Sequence, residues 1–332
     1  MMPMRPVTRP APAPGQAQRR QFVTLLAAGA VGAASVALTA CGGGGGDSTP
    51  SPSPSPSPTP APTPPAPPPA GPARSAKRGI AYDLGVAEDY AALAPGVGWW
   101  YDWGLQPSGG DSATLRSRYG MDFVPMLWNG SFDDTQVLQA LRADPGIRQL
   151  LVLNEPNLTD QASLTPDQAA ALWPRFEAIA QATGVQLIGP QITWGTLAGY
   201  ADPVVWLDAF YAAYRGANAG RDPHIDALGF HWYDYGLDDQ LNRLTKYGKP
   251  FWVTEMANWH SGDGDAQIDT VAKQEAQMSD MVATCEARTD VLRYAWFTGR
   301  WNPDPHFTSV LAAAGTLTEL GQHYLSLPYT AS

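Results

Sequence analysis

The feature that most narrows the possible folds is an alternation of eight short β-rich runs with eight stretches of helical character, filling the chain from Gly79 to Ser326. The runs are Gly79–Leu84, Gly98–Trp103, Asp122–Trp128, Gln149–Asn154, Gln186–Gln191, Asp226–Trp232, Pro250–Glu255 and Val291–Phe297. Several are almost wholly apolar, as strands covered on both faces of a parallel sheet must be. The helical stretches are Ala87–Ala94, Asp111–Tyr119, Asp133–Ala143, Thr165–Thr183, Pro203–Ala217, Leu237–Tyr247, Ala266–Arg288 and Thr316–Ser326. One carries its own punctuation: Thr165 and Pro166 suit the N-cap and first helical position, and Gly184 suits the stop. Eight such alternations in roughly 255 residues predict one α/β domain, a closed (β/α)8 TIM barrel, over an open sheet. No GxGxxG follows the first run, which counts against a dinucleotide-binding sheet.

The residues ahead of the barrel differ in kind. Arg19-Arg20 precede an apolar run, Val23–Ala40, that ends in Leu38-Thr39-Ala40-Cys41-Gly42. This is the form of a twin-arginine export signal closed by a lipobox, with Cys41 as the lipid attachment site. A transmembrane helix is the alternative, but the run is short and rich in Ala and Gly. After a glycine tract, Ser48 to Ala73 is nearly all Ser-Pro, Thr-Pro and Ala-Pro, which favours extended polyproline II over a packed core. The expected organisation is a signal peptide over 1–40, a linker over 41–76 and a barrel domain over 77–332. The protein would be exported and held at the bacterial envelope by lipid on Cys41 alone, its domain set away from the membrane by the linker. If Cys41 carries lipid, Cys285 has no partner for a disulfide and reads as a small buried apolar residue in a helix.

The net charge of the chain is -10, yet five of its 21 basic residues and only one of its 31 acids precede Lys77. The domain is therefore strongly acidic, which argues against nucleic acid or anionic lipid as partners and for a neutral substrate and a monomer. The chain has twelve Trp and thirteen Tyr, whose flat faces with a polar handle suit stacking on sugar rings.

In a barrel of this type, reactive side chains stand where strands end on the C-terminal face. Two apolar runs end there in an acid: Leu150-Leu151-Val152-Leu153-Asn154-Glu155-Pro156 in the fourth and Phe251-Trp252-Val253-Thr254-Glu255 in the seventh. A glutamate buried without a purpose would be costly. Strands four and seven lie across the ring from each other, so the two carboxylates can face one another over a pocket, as glycoside hydrolysis requires. Asn154 is placed to hold a sugar 2-hydroxyl. His231 and Tyr233 alternate with Trp232 on the sixth run and can both point into the mouth. Trp103, Trp128, Trp259 and Trp296 stand at or just past strand ends as candidate sugar platforms.

Asn154-Glu155-Pro156 with Thr254-Glu255 resembles the large clan of barrel glycosidases that carry the acid/base on strand four and the nucleophile on strand seven. Together with Trp99-Trp100-Tyr101-Asp102-Trp103, Phe123–Trp128, Leu228–Tyr233, Trp252–Ala257 and Arg293–Phe297, the pattern resembles glycoside hydrolase family 128 over Gly79 to Phe297. The resemblance implies a retaining hydrolase of β-1,3-glucan with Glu155 as acid/base and Glu255 as nucleophile; endo action is expected, with exo action open as the alternative. The chain departs from the usual family pattern with Val152-Leu153 in place of Gly-Phe and Asp102 where Asn is common.

Metal catalysis is not expected, since five scattered His form no HExxH, and no cofactor is expected. The absence of GxSxG removes the nucleophile-elbow hydrolases. Two rival readings stay open: a surface protein that binds β-glucan oligosaccharides without cutting them, and a glycosidase of the same clan acting on another β-glycan.

Overall fold

The computed structural model describes residues 74–262 and 264–329; the expected signal segment, Cys41 and nearly all of the expected linker lie outside them. In chain order the elements are β1 (Arg78–Ala81), α1 (Ala87–Leu93), β2 (Trp99–Tyr101), α2 (Ser112–Tyr119), β3 (Asp122–Phe123), β4 (Met126–Leu127), α3 (Asp134–Ala143), β5 (Gln149–Val152) and α4 (Pro166–Thr183). There follow β6 (Gln186–Ile192), α5 (Pro203–Ala217), β7 (Ala227–Trp232), α6 (Leu237–Leu244), β8 (Phe251–Met256), α7 (Val271–Ala287), β9 (Val291–Trp296) and α8 (Glu319–Ser326).

Every strand pairs parallel to its neighbours, in the order β3-β2-β1-β9-β8-β7-β6-β5-β4. The two ends of that order are one strand of the ring. Pro125 has no N–H to give a ladder, so the third β-rich run divides into β3 and β4. Its first half bonds to β2, with Val124 N donating to Trp100 O, and its second half accepts from β5, with Leu151 N donating to Pro125 O. Eight strand positions thus close a (β/α)8 barrel, as the alternation of runs implies.

The helices sit where the sequence places them, with two late starts: α7 begins at Val271, five residues after the expected Ala266, and α8 at Glu319, three after Thr316. In α7 the side chain of Thr270 caps the helix, and Gly264–Ala266 form a separate 3-10 turn. α4 opens with a capping box between Thr165 and Gln168, has Pro166 in its first turn, and ends on Gly184 at φ 79°. Cys285 is a free, fully buried thiol in α7, its pKa pushed up by burial. Among the described residues no helix is long and apolar enough to cross a membrane.

The barrel floor is sealed from inside and below. The Arg293 guanidinium lies 4.7 Å from the centre of the Trp252 ring and 5.6 Å from that of Trp99. Arg78, 1 % exposed, donates to Tyr294 Oη and to the carbonyls of Tyr324, Leu327 and Pro328, joining the first strand to the end of the chain. Lys77 Nζ caps the C-terminal carbonyls of α7, and Arg74 bonds Ala94 O, Tyr119 O and Gly120 O. Arg74, within the expected linker, thus already bonds the domain on the face opposite the strand ends.

Candidate active site

At the open end, Glu155 follows β5 and Glu255 is the fifth residue of β8; they are 2 % and 4 % exposed. Carboxylate oxygens of both and a ring nitrogen of His231, on β7, lie within 4.8 Å of one another. Glu155 reaches this position through a kink: Leu153 at φ 56° and Glu155 at φ 44° are both left-handed, a conformation that costs a non-glycine residue about 1 kcal/mol or more. Main-chain bonds hold the kink, with Asn154 N donating to Trp128 O and Glu155 N to Gln191 O.

Donors surround Glu255. Its Oε1 accepts from Tyr101 Oη and from Trp103 Nε1, each at 2.9 Å, and its Oε2 from Tyr233 Oη. Burial and the charge of Glu255 push the Tyr101 hydroxyl well above the ordinary tyrosine range, so it stays a donor. His231, fully buried, turns Nδ1 to both acids, 2.9 Å from Glu155 Oε1 and 3.3 Å from Glu255 Oε2. The Nδ1–H tautomer fits this geometry, and Nε2 is buried with no hydrogen-bond partner among the described residues. Two carboxylates and an imidazole at this spacing also have the composition of a metal-ligand set, but both Glu255 oxygens already face protein donors.

The other expected residues divide into two groups. Trp103 is half-buried and Trp128, also half-buried, lies just past β4, so both keep part of a ring open at the mouth. Tyr233 packs on Trp259, ring centres 4.0 Å apart, and Trp259 stacks on His306. Asn154 donates its amide to Gln161 Oε1, while its Oδ1 has no partner among the described residues. Trp296 corrects the expectation: it is 0 % exposed and its indole donates to Thr308 O, so no face is left for a sugar and it belongs to the core. Strand-end position alone does not tell which way a side chain points. Tyr101 is not among the expected site residues, although it sits between Trp99 and Trp103 at strand spacing, which puts all three on one face. Asp102, turned away from that face, is pushed up to about 7 by burial despite amide bonds from Gly104 and Ser108.

A parallel barrel whose strand ends bring two buried glutamates within a few ångströms, one of them ringed by donors, defines a barrel glycosidase. Residues 79–324 match the glycosyl hydrolase catalytic core family. A crystal structure of a GH128 subgroup II endo-β-1,3-glucanase from Pseudomonas viridiflava is 59 % identical, with a TM-score of 0.76, covering 78 % of this chain and 100 % of that one. The chain belongs to glycoside hydrolase family 128. More distant is a subgroup I endo-β-1,3-glucanase from Amycolatopsis mediterranei in complex with laminaritriose: 26 % identity, TM-score 0.58, 76 % of this chain and 99 % of that one. Alkali-sensitive linkage protein 1 of Schizosaccharomyces pombe is 26 % identical over 270 residues, 76 % of this chain. This chain spans 45 % of the length of that curated relative.

Proposed function

We propose that this protein is an endo-acting β-1,3-glucanase that works by retention, with Glu255 as nucleophile and Glu155 as acid/base. The observation that carries the roles is the asymmetry of the pair. Glu255 accepts from Tyr101, Trp103 and Tyr233, which fix and aim its oxygens; Glu155 sits on the kinked turn facing it. The approach of their oxygens to within 4.8 Å supports the close pair of retaining enzymes, whose carboxyls stand about 5 to 5.5 Å apart, over the about 6.5 to 9.5 Å of inverting ones.

In the first step a Glu255 oxygen bonds to the anomeric carbon while the bond to the glycosidic oxygen breaks and Glu155 gives that oxygen its proton. In the second, Glu155 takes a proton from water, whose oxygen attacks the same carbon and returns Glu255 as a carboxylate. The β-1,3-glucan assignment is supported by the solved relatives, one an endo-β-1,3-glucanase at 59 % identity and another holding laminaritriose. Export by the twin-arginine route, lipid on Cys41 and a monomeric state complete the reading. They rest on the signal pattern of residues 19–41 and on the acidic domain, and are checked by palmitate labelling lost in Cys41→Ala and by sedimentation.

The deciding experiment is product analysis on laminarin and curdlan, with cellulose and mannan as controls, beside Glu255→Gln. Short β-1,3-oligosaccharides of β configuration from the parent and none from Glu255→Gln are expected. Binding without release would make the protein a receptor, and release only from a control polymer would overturn the substrate assignment.

A further inference from the structure

Between the strands that carry the two glutamates lies a fully buried amide, Gln191 of β6. Its main chain bonds both sides of the kink before and at Glu155: its N–H donates to Leu153 O and its carbonyl accepts from Glu155 N, each at 2.9 Å. Its side chain goes the other way. Oε1 accepts from Thr254 Oγ1 at 2.6 Å, the residue immediately before Glu255, and Nε2 donates to Ile188 O at 2.7 Å, which fixes the amide so that the oxygen faces Thr254. β7 stands between, and its Gly229 clears the path: a Cβ there would come within 2.0 Å of Gln191 Oε1.

The contacted segments both need holding. Leu153 and Glu155 are left-handed. β8 changes register against β7 near His231 and Glu255 and against β9 between Val253 and Met256, irregularities of the kind that re-aim a side chain. Thr254 is 0 % exposed, so its hydroxyl has no water to turn to.

We propose that Gln191, through Thr254, is a positioning residue that sets the spacing of Glu155 and Glu255. It touches no reacting atom; it ties the main chain of one carboxylate to the strand of the other beneath the mouth. This rests on the assignment of those two glutamates as the catalytic pair. A misplacement of about 1 Å costs a reaction roughly a hundredfold, so loosening one bond of this tie lowers kcat about ten- to a hundredfold and leaves sugar binding, and hence KM, nearly unchanged.

The test compares Thr254→Val, which keeps shape and loses the hydroxyl, with Thr254→Ser, which keeps the hydroxyl, using laminarin as substrate and Glu255→Gln as reference. Expected are a fall in kcat of about tenfold or more at constant KM for Thr254→Val and near-parental kcat for Thr254→Ser. Parental kcat in folded Thr254→Val, a change in KM alone, or equal loss in both variants would overturn the proposal. Should Thr254→Val not fold, Gln191→Met is read from the other side by the same split of kcat from KM. Activity retained by Glu255→Gln would instead sink the catalytic assignment on which the proposal stands.

Discussion

Replacing Tyr101 by phenylalanine removes one oxygen atom from the surroundings of Glu255, the proposed nucleophile, and little else. The ring stays between Trp99 and Trp103, ring centres 6.2 and 5.2 Å away, while Glu255 Oε1 loses a donor at 2.9 Å. A hydrogen bond to a charged group contributes about 1.5–3 kcal/mol, and about 1.36 kcal/mol corresponds to a factor of ten in rate. Trp103 Nε1 still donates to the same oxygen, so the lower figure applies, Glu255 is held less firmly in its aim, and kcat/KM falls about tenfold in Tyr101→Phe. Initial rates of reducing-sugar release from laminarin measure it, with Glu255→Gln as the reference for full loss. A parental kcat/KM would refute the reasoning and demote the Tyr101 hydroxyl to packing.

Asp102 holds its proton more tightly folded than unfolded, so stability falls as pH rises from about 4 to about 7 and is flat above. The ceiling is about 4 kcal/mol, reduced by water at a half-buried carboxyl; Asp102→Asn should flatten the Tm profile between pH 5 and 8 that declines by several degrees in the parent. Arg78→Met strands the carbonyls of Tyr324, Leu327 and Pro328 and should lower stability by about 3–5 kcal/mol, or Tm by roughly 10 °C, with KM unchanged. Trp296→Phe should likewise lower Tm in a thermal scan without altering KM for laminarin; a raised KM would return Trp296 to the substrate site.

Much of this was legible in the amino-acid order because a barrel makes fold and site follow one rule. Apolar runs spaced by capped helices give the strands, and an acid closing such a run, as at Glu155 and Glu255, has no other easy explanation. What stayed hidden depends on direction and on register. The sequence does not show that Pro125 splits a strand without opening the ring. It gives Trp103 and Trp296 the same strand-end rank, although one reaches Glu255 and the other fills the core. Gln191 escapes because its partners, Leu153, Glu155 and Thr254, are brought to it by a left-handed kink and two register shifts that residue types do not announce.

The chain enters the barrel at its floor, where Arg74, Lys77 and Arg78 fasten it, and the two glutamates open at the other end. A resin or a fusion partner joined directly at Arg74 therefore takes hold of the molecule by its closed end. An enzyme mounted this way presents its mouth to a solid face, and an insoluble glucan can be grazed from a fixed support without the support competing for the same space.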